Sequence, residues 1–239
     1  MPTALVIGAR NLGFAVIERL LADGWTVAGA ARSQETLDRV RAAGADALQV
    51  DITDQASVAG ALREVAERHG RVDLAVNAAS PYGGGRSGPF GGGPLAEATP
   101  SGVEDWSVMP VRGAFAFLSA CARFLTDQGG PATVVQVTGG SARRGMPGRG
   151  LWAAGAFASR AMVQAAAQEH REEGIHVALL AVNATIESPK TEAFTRDTPR
   201  EALASMASVA RTVAFLADQD ARGMTHEIVV TPAGDRWIP

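Results

Sequence analysis

Residues 3–24, TALVIGARNLGFAVIERLLADG, constrain the fold more than any other stretch of the chain. Ala4-Leu5-Val6-Ile7 is a short apolar run of the kind that forms a strand covered on both faces. Gly8 and Gly13 bracket a tight turn, beyond which Val16, Ile17, Leu20 and Leu21 recur at helical spacing. Gly24 stands where a helix C-cap glycine belongs. Strand, glycine turn and amphipathic helix together read as the opening βα unit of a dinucleotide-binding fold. A phosphate at the helix N-terminus would meet free backbone N–H groups and the positive end of the helix dipole. The G-x-G-x-x-G spacing is incomplete, because Arg10 stands where the middle glycine would be, and a plain strand–turn–helix fits the same residues.

The rest of the chain repeats the alternation. Strand-like runs lie at 25–31, 47–50, 72–76, 132–138, 175–182 and 225–231. Between them the patterning predicts helices over about 34–43, 54–69, 101–126, 152–173 and 200–217. Asp54 is the expected cap of the second of these and Ser101 of the third, and Pro110 would break or kink that third helix. Alternating strands and helices imply parallel pairing, because each parallel crossover needs a helix-length return. The expected fold is therefore α/β, a Rossmann-type doubly wound arrangement with a seven-stranded parallel sheet and helices on both faces. No linker or repeat divides the chain, so a single domain over 1–239 is expected. Ligands in such sheets sit beyond the C-terminal strand ends. That places the 8–13 turn, Arg32, Asp51 and segments 77–100, 138–151 and 183–199 on one rim. Within that rim, seven of the eleven residues from 83 to 93 are glycine, and Tyr82, Arg86 and Phe90 are the largest side chains of 81–100. This predicts a long mobile loop, either a lid or binding loop or an unstructured insertion.

Composition narrows the function classes. With 46% hydrophobic and 20% charged residues the chain can bury a large core. A formal net charge of −3 argues against a general nucleic-acid binder. The single cysteine, Cys121, cannot form an internal disulfide, which suits a reducing, cytoplasmic compartment. No long apolar span and no basic leader are read, so no membrane association is expected. The four histidines are scattered without ligand spacing, and no metal is expected.

Several segments, in order, resemble the short-chain dehydrogenase/reductase family over nearly the whole chain. Asp51-Ile52-Thr53 resembles the family's D-[VI]-T, and VDLAVNAAS, carrying Asn77 and Ala78, resembles D-x-L-V-N-N-A-G. Ile186-Glu187-Ser188-Pro189 resembles I-x-T-P, and the closing VARTVAFLADQDARGMTHEIVVTPAG resembles the family's last helix and strand. The resemblance implies hydride transfer between a nicotinamide cofactor and a small-molecule carbonyl or alcohol. It implies a cofactor site on Gly8, Arg10, Asn11, Leu12, Gly13, Asp51, Ile52, Asn77, Ala78 and Ile186. It also implies self-association to a homodimer or homotetramer. An NAD site of this type ends its second strand on a carboxylate. Here Ala31 and Arg32 stand there instead, and with Arg10 they favour a 2′-phosphate, so NADP(H) is expected ahead of NAD(H).

The family's catalytic residues are not matched. Its Tyr-x-x-x-Lys aligns best with Ala156 and Arg160, its helical Asn with Pro110, and its Ser with Gly139, or with Thr138 or Ser141 if the loop shifts. Arg160 could still hold the ribose hydroxyls, but arginine does not titrate as an acid or base. Ser141 and Tyr82, the only tyrosine, are the replacement candidates beside Arg160. Arg143, Arg144 and Arg149 would clamp an anionic substrate or are ordinary solvated charges. Three functions stay open: an oxidoreductase with a non-standard proton donor, a non-redox cyclase or dehydratase on the same scaffold, and a catalytically silent NADP(H)-binding protein.

Overall fold

The computed structural model describes residues 1–80 and 89–235. Seven strands form one parallel sheet in the order β3-β2-β1-β4-β5-β6-β7. They are β1 Thr3–Ile7, β2 Thr26–Ala31, β3 Asp46–Gln49, β4 Leu74–Asn77, β5 Ala132–Gly139, β6 Ile175–Val182 and β7 Glu227–Val230. The order reverses between β1 and β4, which is where this architecture opens a crevice. The expected fold class is the one observed.

Side-chain alternation along β1 assigns the helices to faces. Ala4 and Val6 enter a core shared with α1 (Leu12–Ala22), α2 (Gln34–Ala42) and α8 (Met206–Ala217). Leu5 and Ile7 enter the opposite core, built with α3 (Gln55–His69), α5 (Met109–Gln128) and α6 (Gly150–His170). The parallel register carries this across the sheet: Leu5 lies level with Ala28 and Ala75, and Val6 with Gly29 and Val76. Every residue of β1 and of β6 is buried. That is why these strands read as continuous apolar runs and not as alternating ones.

Several expected boundaries move. Asp54 caps α3 as expected, its carboxylate accepting from the Ala56 amide at 2.9 Å. The cap ahead of the 101–126 helix is Thr99, not Ser101; its hydroxyl accepts from the Gly102 amide at 3.1 Å, opening the short α4 (Pro100–Val103). Pro110 neither breaks nor ends the helix. Residues Glu104–Val108 widen into a π turn, and Pro110 falls in the first turn of α5, where its missing N–H costs least. The last expected helix is shorter, with the short α7 (Glu192–Thr195) and a 3-10 turn at Arg200–Ala202 preceding α8. Part of the 81–100 segment folds into 3-10 turns at Phe90–Gly92 and Leu95–Glu97.

The continuous stretch Pro100–Gln128 is 29 residues long and, by length and composition alone, apolar enough to cross a membrane, an 18-residue window within it having mean hydropathy 1.3. This corrects the expectation that no such span exists. In the fold, its α5 part buries Phe117, Leu118, Cys121 and Leu125 against the sheet. Burial pushes the Cys121 thiol up from its ordinary range, so that at neutral pH it stays protonated and packs as a small apolar group.

Two histidines stitch β7 to the sheet. The His176 Nε2 donates to the Thr225 carbonyl at 3.0 Å, and the His226 Nδ1 donates to the Val177 carbonyl at 2.9 Å. Their rings meet edge to face, with centroids 5.6 Å apart. His176 is buried. Desolvation lowers its pKa, with the neighbouring His226 acting in the same direction. The unfolded chain therefore binds a proton at His176 that the native state resists. Stability should fall as pH drops below the ordinary histidine range. Urea midpoints between pH 7.5 and 5 should decline more steeply for the wild type than for His176→Phe.

Candidate cofactor and active site

The turn after β1 is pressed onto the end of β4. Gly8 has φ +94°, and a Cβ there would stand 2.4 Å from the Ala79 nitrogen. A Cβ on Gly13 would stand 2.4 Å from the Gly8 carbonyl oxygen. The Gly8 and Ala9 amides donate to the Ala30 carbonyl at 2.9 and 3.1 Å, and the Ala78 amide donates to the Ile7 carbonyl at 2.8 Å. Asn11 caps α1 without a side-chain bond, and no acidic residue occupies the first turn. The helix start therefore offers amides and a positive dipole end with no competing carboxylate. These residues fit a pyrophosphate. Leu12 and Ile52 are themselves core side chains, so any contact they make to a nucleotide runs through the backbone.

Arg10 and Arg32 are both exposed, and neither has an ion-pair partner among the described residues. Asp51 accepts from the Thr53 amide at 2.9 Å and the Thr53 hydroxyl at 2.8 Å. The bond from the Thr53 backbone, chiefly, holds its carboxyl below the usual carboxylate range, with help from the Arg32 charge. Asn77 is buried; its Nδ2 donates to the Gln136 Oε1 at 2.9 Å, and its Oδ1 accepts from the Ala79 amide at 3.0 Å. It thus shapes the β4 end that carries Ala78. On the other side of the crevice, the Thr191 hydroxyl donates to the Ile186 carbonyl at 2.6 Å, and Ile186 bridges to Ala204.

The side chain facing the end of β5 is an indole. A Cβ on Gly139 would lie 3.8 Å from Trp152 Nε1. Ala156, expected in the tyrosine place, is buried one turn deeper in α6. Trp152 joins Trp106, from the π turn, and Phe90, with ring centroids 5.0 to 6.0 Å apart. The Ser107 hydroxyl donates to the Leu151 carbonyl at 2.6 Å and fastens the π turn to the first turn of α6. Composition hid this cluster, because its three members come from segments far apart in the chain. A tryptophan in the first turn of the helix after β5 was the available signal.

Arg160 ion-pairs with Glu227 of β7, its Nε donating at 2.9 Å. Arg143 ion-pairs with the other oxygen of the same carboxylate. Arg149 lies 5.3 Å from the centre of the Phe90 ring and bridges to Gly93. Of the three loop arginines, then, one is spent on Glu227 and one on the glycine segment. Ser141 is buried in the 3-10 turn Gly140–Ala142, against which Asn183 packs. Tyr82 and Arg86 lie outside the described residues. No group of three or more His, Cys, Asp or Glu suited to a metal occurs among the described residues.

The sheet order, the glycine turn at the β1–β4 crevice and the rim around it define a Rossmann-type α/β protein. Residues 6–234 match the family described as enoyl-(acyl carrier protein) reductase, and the chain belongs to the short-chain dehydrogenase/reductase family. L-2,3-butanediol dehydrogenase of Corynebacterium glutamicum is 30% identical over 175 residues, covering 70% of this chain and 65% of that protein, just under two thirds of its length. An NADPH-bound short-chain oxidoreductase from Pseudomonas aeruginosa, described as containing an atypical catalytic center, superposes with TM-score 0.83 at 21% identity, covering 99% of this chain and 98% of that one. A single-residue variant of actinorhodin polyketide ketoreductase with NADPH superposes with TM-score 0.81 at 21% identity over the same shares.

Gly8 and Gly24 both have positive φ, but only Gly8 is crowded. Gly8→Ala should therefore destabilise the protein by about 1–3 kcal/mol more than Gly24→Ala, since it adds overpacking to the same backbone strain. Equal losses in urea unfolding would show that the turn can move off β4.

Proposed function

We propose that the chain is an NADP(H)-binding oxidoreductase of atypical catalytic centre, acting on a small-molecule carbonyl or alcohol without a Tyr-x-x-x-Lys pair. One observation carries this reading: a cofactor turn that fits a pyrophosphate sits beside a β5 end occupied by Gly139 and Trp152. The bound nicotinamide would supply the hydride. Among the chain's own residues, Asn11, Leu12 and Gly13 would hold the pyrophosphate through backbone amides, with Gly8 leaving room for its approach. Arg10 and Arg32 would meet the 2′-phosphate, and Asp51, Ile52, Asn77, Ala78 and Ile186 would border the rest of the cofactor. The Trp152 indole N–H is a hydrogen-bond donor only and has no proton to release at neutral pH. Arg160, tied to Glu227, is a scaffold residue in this reading. The proton must come from another group. Tyr82, five residues beyond Asn77 in sequence, is the proposed donor, and Ser141 a proposed hydrogen-bonding group for the substrate oxygen.

The second reading, a catalytically silent NADP(H)-binding protein, is favoured by the same indole, which stands against Gly139, the position aligned with the family's serine. Calorimetric titration separates the two. NADPH should bind in the micromolar range, and turnover over a carbonyl panel should fall at least about tenfold in Tyr82→Phe. Binding without turnover of any substrate selects the silent reading, and no binding at millimolar cofactor rejects both.

The proposal extends to one domain over the whole chain and to self-association. Phe115 on α5 and Phe157 on α6 are exposed, and Phe215 on α8 is exposed beside β7. Exposed aromatic side chains on long helices suit a helix-to-helix contact between copies. Gel filtration at micromolar concentration should give a dimer or tetramer, and Phe157→Glu should shift it toward monomer.

A further inference from the structure

The glycine turn is held from outside by a side chain that no motif includes. Arg39 lies on α2, seven residues beyond Arg32. Its guanidinium carbon stands 3.5 Å above the centre of the Phe14 ring, and its Nη1 donates to the Arg10 carbonyl at 3.1 Å. Phe14 is buried in the first turn of α1. One planar cation therefore touches the helix that starts at the turn and the backbone of the turn residue that replaces the middle glycine. Stacking fixes the plane of the guanidinium, and the hydrogen bond then fixes the Arg10 peptide against it. A lysine would keep the charge but lose both the flat stacking surface and the fork geometry.

Resting on the NADP(H) reading above, we propose that Arg39 is a positioning residue for cofactor choice. By clamping the Arg10 peptide onto Phe14, it aims the Arg10 side chain toward the adenosine 2′-position beside Arg32. The pyrophosphate contacts, made by amides of the turn and of α1, do not depend on it. Removing Arg39 lets the Arg10 side chain sample other directions. That weakens only the interaction the 2′-phosphate makes, while binding of a cofactor lacking that phosphate changes little.

The test measures dissociation constants for NADPH and NADH by calorimetry on the full chain, for the wild type, Arg39→Met, Arg39→Lys and Phe14→Leu. The wild type should prefer NADPH. Arg39→Met should weaken NADPH about five- to tenfold and NADH less than about twofold, consistent with partial loss of one charge-assisted arginine–phosphate contact. Arg39→Lys should resemble Arg39→Met, and Phe14→Leu should fall between them and the wild type. Full rescue by lysine would overturn the positioning role in favour of simple charge. Equal weakening of both cofactors would reduce Arg39 to a structural residue, and unchanged preference in Arg39→Met would leave it no role. A wild type that binds NADH as well as NADPH would instead reject the NADP(H) reading on which the proposal stands. Thermal midpoints of the four proteins, expected within a few degrees of one another, confirm that each is folded.

Discussion

The contact between the glycine turn and the end of β4 is the constraint on which the site depends. Parallel strands give the sheet one rim where all the C-terminal strand ends lie, and the reversal of strand order opens that rim between β1 and β4. The chain leaving β1 must cross this opening at once to start α1. It can do so only because Gly8 and Gly13 have no side chains to collide with Ala79 and with the turn itself. The amide bonds to Ala30 and Ile7 then fix the turn relative to β2 and β4. Everything proposed for cofactor binding follows from this packing, since it sets where the free amides of α1 point.

The opposite wall is built on a different principle. There, large side chains fill the space. Trp152, Trp106 and Phe90 pack edge to face, and a π turn absorbs the missing N–H of Pro110 so that Trp106 reaches the cluster. Edge-to-face pairs of this kind add on the order of 0.5–1.5 kcal/mol each beyond simple burial. One wall of the crevice is thus backbone and open to an anion, and the other is aromatic and short of groups that exchange protons.

The fold was legible in the sequence because its determinants are local. Continuous apolar runs mark strands buried on both faces, and Val16, Ile17 and Leu20 mark the inward stripe of α1. The glycine turn between β1 and α1 was legible for the same reason, being one contiguous segment. The wall beyond β5 was not. The resemblance aligned Ala156 with the family's tyrosine, and nothing local announced that Trp152, one turn earlier, lies against Gly139. Arg160 likewise looked available until Glu227, 67 residues away, claimed it. The cap at Thr99 was missed because Ser101 is an equally good capping residue in isolation, and the choice between them depends on where Pro100 can sit in the first turn.

Glu227 has a wider consequence. One carboxylate on the final strand holds Arg143, from the segment that carries Ser141, and Arg160, from the helix that carries Trp152. The last strand thereby acts as a tie-bar between these two segments. Loss of that single anion would leave two cations facing each other behind the wall. A change at Glu227 alone would therefore loosen the Ser141 segment and the Trp152 helix at once.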